Sequence, residues 1–91
     1  MMNLEKAETI ALQALSFMVK DDDLFALFLS NTGLTPQDLK TRIREPELLG
    51  GVLDTILADD KVLLEFCNAS SLSPDTIILA RTVLPGGYNF D

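Results

Sequence analysis

One short phrase occurs twice in this chain, and it limits the fold more than any other feature of the sequence. The first copy consists of Asp21-Asp22, Phe28 and Leu34-Thr35-Pro36. The second copy, at one constant offset and with no gap, consists of Asp59-Asp60, Phe66 and Leu72-Ser73-Pro74. Aspartate, serine and threonine are favoured as helix N-caps, and proline is favoured in the first helical turn. Each copy therefore predicts one helix followed by the start of another.

Apolar side chains recur at helical spacing through most of the chain. No stretch alternates with period two for long, and no Asn-Gly or Asp-Gly hairpin signal occurs. The predicted helices are Leu4–Val19, Leu24–Asn31, a third from Thr35-Pro36 that ends before Pro46, a fourth from Pro46, Lys61–Ala69, and a sixth from Ser73-Pro74 to about Leu84. We expect an all-α fold, a compact bundle of about six short helices. We expect residues 1–84 to form its single domain and residues 85–91 to form a flexible tail.

Two features of this organisation allow more than one interpretation. Extending the offset pairs further apolar positions and divides the chain into units 8–45 and 46–83. These units are either a pseudo-symmetric internal repeat of three helices each, or short helices that use the same capping residues by chance. Likewise, Gly50-Gly51 inside the fourth helix either admits a close neighbouring helix or marks a break.

Charge excludes several classes of partner. The chain has a formal charge of −7 and a pI of about 4.3. Its basic cluster, Lys40, Arg42 and Arg44, lies at a predicted helix end, where cations offset the helix dipole. A binder of nucleic acid or of an anionic membrane needs a larger cationic surface. We therefore expect neither partner.

The sequence offers little material for catalysis, and we assign no catalytic, cofactor-binding or metal-binding residue. Histidine, the usual general base, is absent. Cys67 has no base or cation beside it in the sequence, so we expect a small buried apolar residue. The pairs Asp21/Asp22 and Asp59/Asp60 are interpreted as helix caps. The alternative is that these aspartates meet and bind a cation, either as an ion site or as a metal-dependent enzyme.

Differences between the two units indicate a binding surface. Leu27 matches Glu65, Ile78 matches Lys40, and Leu79 matches Thr41. Because the polar member of each pair favours a position facing water, the apolar member is predicted to be exposed and to bind a partner. The other interpretation is that these residues fill an asymmetric core. Tyr88 and Phe90, on a Gly-Gly tether, are a second candidate for partner binding.

Several phrases also resemble a known family. They are Ala7 to Leu15, Phe28-Leu29, Thr32-Gly33-Leu34, Pro36, Asp38-Leu39, Val52-Leu53-Asp54 and Leu57-Ala58-Asp59. In these the chain resembles a domain-of-unknown-function family of small, acidic, all-helical alphaproteobacterial proteins. The resemblance implies a bacterial cytoplasmic protein with an all-helical fold, and it implies no activity, ligand or cofactor.

Taken together, these features predict a non-enzymatic protein–protein interaction module. It would act through apolar helix surfaces, on a protein partner or as a homodimer. The first residues lack the basic and apolar regions of a signal peptide, and the longest unbroken apolar run is Leu24–Leu29. We therefore predict a cytoplasmic location.

Overall fold

The computed structural model describes residues 2–85 and folds them into six α-helices. In chain order these are α1 (Leu4–Val19), α2 (Asp22–Thr32), α3 (Pro36–Arg42), α4 (Pro46–Leu57), α5 (Asp60–Ser70) and α6 (Pro74–Val83). No strand occurs in this part of the chain. The predicted all-α bundle of six short helices is confirmed. Two starts were wrong: α2 begins at Asp22, not Leu24, and α5 begins at Asp60, not Lys61. In each case the N-cap is the first aspartate of the run, Asp21 or Asp59.

The aspartates of the doubled phrase cap helices. The Asp21 carboxylate accepts hydrogen bonds from the backbone N–H groups of Asp23 and Leu24, at 3.1 and 3.2 Å. The Asp59 carboxylate accepts from those of Lys61 and Val62, at 2.9 and 3.5 Å. The acceptor and donor positions agree in the two copies. The phrase therefore produces the same helix start twice.

The far ends of α2 and α5 agree as well. The Thr32 hydroxyl donates to the Phe28 carbonyl at 2.8 Å, and the Ser70 hydroxyl donates to the Phe66 carbonyl at 2.7 Å. Both phenylalanines are fully buried. The next helices start at Thr35 and Ser73, whose side chains each accept an N–H from the third residue on. The same capping residues thus account for the matching local structure of the two copies. Duplication of the chain stays a prediction.

Helix α4 lies at the centre of the bundle and packs against α1, α2, α5 and α6. Its apolar side chains are almost completely buried: Leu48, Leu49, Val52, Leu53 and Ile56. The buried Thr55 hydroxyl donates to the Gly51 carbonyl at 3.0 Å, so this polar group has its partner. Helix α1 also has four neighbours, α2, α4, α5 and α6. These four neighbours explain why apolar side chains occupy a wide arc of α1.

Helix α4 runs unbroken through Gly50-Gly51, and Gly50 admits a close neighbour. A Cβ atom on Gly50 would lie 2.9 Å from the Pro85 carbonyl oxygen and 3.3 Å from Nη1 of Arg81. The first distance is shorter than a real contact allows. Glycine at position 50 thus lets the end of α6 lie directly on α4, and this contact fixes which side of α6 faces outward.

Candidate functional site

Helix α6 separates into a buried side and an apolar outward side. Ile77, Ala80 and Leu84 face the core. Ile78 and Leu79 are 48% and 54% exposed. We call the surface formed by Ile78 and Leu79, together with the exposed Asp75 one turn before them and the exposed Thr82 one turn after them, the α6 face. The prediction that Ile78 and Leu79 are exposed rather than core residues is confirmed.

A charged contact holds α6 in this orientation. Arg81 donates from Nε to Oδ1 of Asp54 at 2.6 Å and from Nη2 to Oδ2 at 3.2 Å. Its Nη1 donates to the backbone carbonyls of Leu84 and Pro85, both at 3.0 Å. One guanidinium thus joins α6 to α4 through a two-point bond and also satisfies carbonyl groups that the end of α6 leaves open. The α6 face is therefore a preorganised surface.

The other predicted binding residues do not join this face. Leu27 is 49% exposed, as predicted, but it lies on α2, which packs against α1 and α4. Helix α6 packs against α1, α4 and α5. The structure therefore does not group Leu27 with Ile78 and Leu79. Tyr88 and Phe90 lie outside the described residues.

The aspartate pairs are separate features of two helix starts. Asp21 and Asp59 use their carboxylates as caps, and Asp22 and Asp60 are exposed first-turn residues. Within residues 2–85, no three Asp, Glu, Cys or His side chains lie close enough to hold a metal ion. The cation-binding alternative thus has no assembled set of ligands in this part of the chain.

Cys67 lies on the buried side of α5. Burial raises the pKa of its thiol, because the thiolate would lose its hydration. A thiol held in the neutral form is a poor nucleophile. Its interpretation as a small buried apolar residue is confirmed.

Two carboxyl groups with lowered pKa values lie around the short helix α3. Hydrogen bonds from the backbone N–H and the hydroxyl of Thr35, helped by the charge of Arg42, lower the pKa of Asp38. Hydrogen bonds from Arg42, together with its charge, lower the pKa of Glu45. Asp38 and Thr35 form a reciprocal capping box, and the Arg42–Glu45 pair is a surface ion pair with 2.9 Å between Nη2 and Oε1. The capping box and the surface ion pair account for the two lowered pKa values, and neither arrangement needs a ligand.

Sequence reasoning missed a groove between α1 and α5. Its volume is about 360 Å³. Its residues are Gln13, Ser16, Phe17, Lys20, Phe66, Ala69 and Ser70. The rings of Phe17 and Phe66 lie with their centroids 5.4 Å apart and their planes tilted by 55°. The sequence carried one relevant signal, a polar stripe on α1, but nothing local shows that this stripe borders α5.

Comparison with known proteins gives one match. A protein-family model described as "Protein of unknown function (DUF3572)" matches residues 4–87. No curated protein and no solved structure gives a significant match. The matched range covers all six helices, including α6 and its outward face. The family description names no activity.

Proposed function

The chain belongs to the DUF3572 family, and we propose that it is a small, non-enzymatic protein-interaction module that binds through the α6 face. The observation that carries the proposal is that Ile78 and Leu79, two adjacent large apolar side chains, are each about half exposed on one rigid helix. Exposed apolar patches are characteristic of interaction sites. At the matched positions of α3 the chain has Lys40 and Thr41, both exposed. This kind of helix therefore does not need apolar residues there in order to fold.

Rigidity supports the same proposal. The opposite side of α6 is anchored by Ile77 and Ala80, which are completely buried, and by the bond from Arg81 to Asp54. Binding to such a helix orders few side chains, because the α6 face consists of four residues on one helix. A preorganised surface pays less entropy on association than a mobile one.

Charge favours a partner other than a second copy of the chain. Each copy carries a formal charge of −7, so two copies repel each other at low salt. On the α6 face, Asp75 adds a negative charge beside the apolar pair. We therefore propose a less acidic protein with an apolar contact surface, bordered by a basic or neutral side chain that meets Asp75.

The proposed setting is the bacterial cytoplasm, with neither nucleic acid nor a membrane surface as partner. Acidity supports the second part, because both surfaces are polyanions. Among residues 2–85, no helix is both long and apolar enough to cross a bilayer.

The test is capture of the partner from a lysate of the native cells with immobilised protein. The double variant Ile78→Gln/Leu79→Gln should lose the captured protein. The matched control is Leu64→Gln on α5, which changes an equally apolar side chain that is 56% exposed outside the α6 face. This control should capture as the wild type does.

Light scattering on the pure protein shows whether the partner is a second copy of the chain. The proposal expects the mass of one chain at micromolar concentration. If the wild type is a dimer and the double variant is a monomer, the α6 face binds a second copy of the chain and not a different protein. Capture that is equal for the wild type and the double variant would refute the α6 face as the binding surface.

A further inference from the structure

The groove between α1 and α5 combines an aromatic floor with a polar wall. The partly exposed ring of Phe17 forms the apolar part. Phe66 is only 1% exposed, so its tilted ring supports Phe17 from the core side. Gln13, Ser16 and Lys20 follow one another at intervals of three and four residues, so they stand on one side of α1. A volume of about 360 Å³ is at the lower end of the range of roughly 300–1,000 Å³ for small-molecule sites. The groove therefore has the size and composition of a site for a small ligand.

The polar wall has unused hydrogen-bonding capacity. Within the described part of the chain, the side chains of Gln13, Ser16 and Lys20 make no hydrogen bond or ion pair with protein groups. The carbonyl groups near them are already used: those of Phe17 and Met18 accept N–H groups from Lys20 and Asp21. An amide, a hydroxyl and an ammonium group are thus free to bind a ligand.

The charge of the groove is opposite to that of the protein. The chain has 14 acidic residues and 7 basic ones, yet the groove is lined by one lysine and no carboxylate. The nearest acid in sequence, Asp21, directs its carboxylate to N–H groups of α2. On the other wall, the carbonyls of Phe66 and Cys67 accept from the Ser70 hydroxyl and the Ser71 N–H, which reduces the negative field at the end of α5. Lys20, the one formally charged side chain among the lining residues, therefore favours an anion.

We infer that this groove is a binding site for a small organic acid, a carboxylate carried on a short aromatic or branched apolar body. The apolar body packs on the partly exposed ring of Phe17, which the buried ring of Phe66 supports. The carboxylate accepts charge-assisted hydrogen bonds from Lys20 and further bonds from Gln13 or Ser16. The site lies on α1 and α5, so it is independent of the proposed partner-binding surface on α6.

The test is titration of the pure protein with 3-phenylpropionate, followed through the backbone amide signals in ¹H–¹⁵N NMR spectra. Saturable shifts should be concentrated at Gln13, Phe17, Lys20 and Ser70. The alcohol 3-phenylpropan-1-ol has the same apolar body without the charge and should bind about fivefold more weakly. This factor corresponds to the loss of one charge-assisted hydrogen bond, about 1 kcal/mol.

A matched pair of lysine variants tests the role of charge in the protein. Lys20→Gln should weaken the binding of 3-phenylpropionate about fivefold. Lys6→Gln removes another exposed lysine, from the first turn of α1, and should leave the binding unchanged. Both residues are exposed, so neither variant endangers the fold. Absence of saturable shifts at the groove, equal binding of acid and alcohol, or equal effects of the two lysine variants would each overturn the inference.

Discussion

Gly33 and Ser71 end α2 and α5 in the same left-handed conformation, with φ angles of 74° and 63°. Their N–H groups bond the equivalent carbonyls, those of Leu29 and Cys67, at 2.8 and 2.9 Å. Glycine adopts this conformation without steric penalty, whereas a residue with a Cβ atom is strained there. The two copies of the phrase thus carry the same turn with different conformational costs.

Exchange of these two residues should move stability in opposite directions. Ser71→Gly should raise the free energy of unfolding by about 0.5–1 kcal/mol, and Gly33→Ser should lower it by about 1 kcal/mol, because only the steric cost of the turn changes. The exposed Ser71 side chain makes no hydrogen bond with described residues, so its loss removes no contact. Urea unfolding gives both values. Destabilisation by Ser71→Gly would contradict this explanation of the turn.

Gly50→Ala should destabilise the protein although alanine is the better helix former. The helix-propensity gain is about 1 kcal/mol, but the new Cβ atom meets the Pro85 carbonyl at 2.9 Å and disturbs the Arg81 guanidinium. We expect a net loss of about 1–3 kcal/mol in the free energy of unfolding. Ser30→Ala, an exposed site on α2, reports the propensity gain alone and should be neutral or stabilising. Stabilisation by Gly50→Ala would show that α6 does not need this close approach.

Acid should weaken the protein partly through Asp38. Its pKa is lowered in the folded state from 3.8, chiefly by the Thr35 N–H and hydroxyl. A lowered folded-state pKa stabilises the protein above the unfolded-state value, and the effect is lost as the pH falls through the folded-state value. Asp38→Asn should therefore lower the melting temperature at neutral pH, and the difference should shrink as the pH falls below 3.8. Asp75→Asn, in the first turn of α6, is the control; an effect of Asp38→Asn that is independent of pH would contradict this account.

Cys67 should react slowly with a thiol reagent in the folded protein. It is buried, and the raised pKa of its thiol keeps the nucleophilic thiolate scarce. The reaction with a disulfide reagent, followed by absorbance at mildly alkaline pH, should accelerate strongly in guanidinium. Asn68→Cys in a Cys67→Ala background moves the thiol to an exposed neighbouring position and should react rapidly without denaturant. Equal rates for the two positions would show that burial does not protect Cys67.

Local chemistry was readable from the sequence. Threonine and serine at helix starts predicted the caps at Thr35 and Ser73, and the aspartate run predicted a cap before α2 without showing that it is Asp21. Each cap uses only N–H groups within the next few residues. Comparison of the two units also predicted the exposure of Ile78 and Leu79, since Lys40 and Thr41 showed that the position faces water.

Contacts between residues far apart in the chain could not be predicted from the sequence. The bond from Arg81 to Asp54 and the groove of Phe17 and Phe66 depend on which helices become neighbours. Short helices with similar apolar stripes leave several such arrangements open. The same reason explains why Leu27 was predicted together with Ile78 and Leu79, although it lies on α2, away from the helix that carries them.

The central claim is that α6 has one side that builds the core and another that binds a protein. The most direct measurement is the free energy of unfolding of Ile78→Gln/Leu79→Gln, beside that of Ile77→Ala. Ile77 is completely buried, so its truncation should cost about 2–5 kcal/mol. The account predicts that the double variant stays within about 1 kcal/mol of the wild type while its association with the partner is lost. A loss of stability as large as that of Ile77→Ala, with association retained, would contradict it.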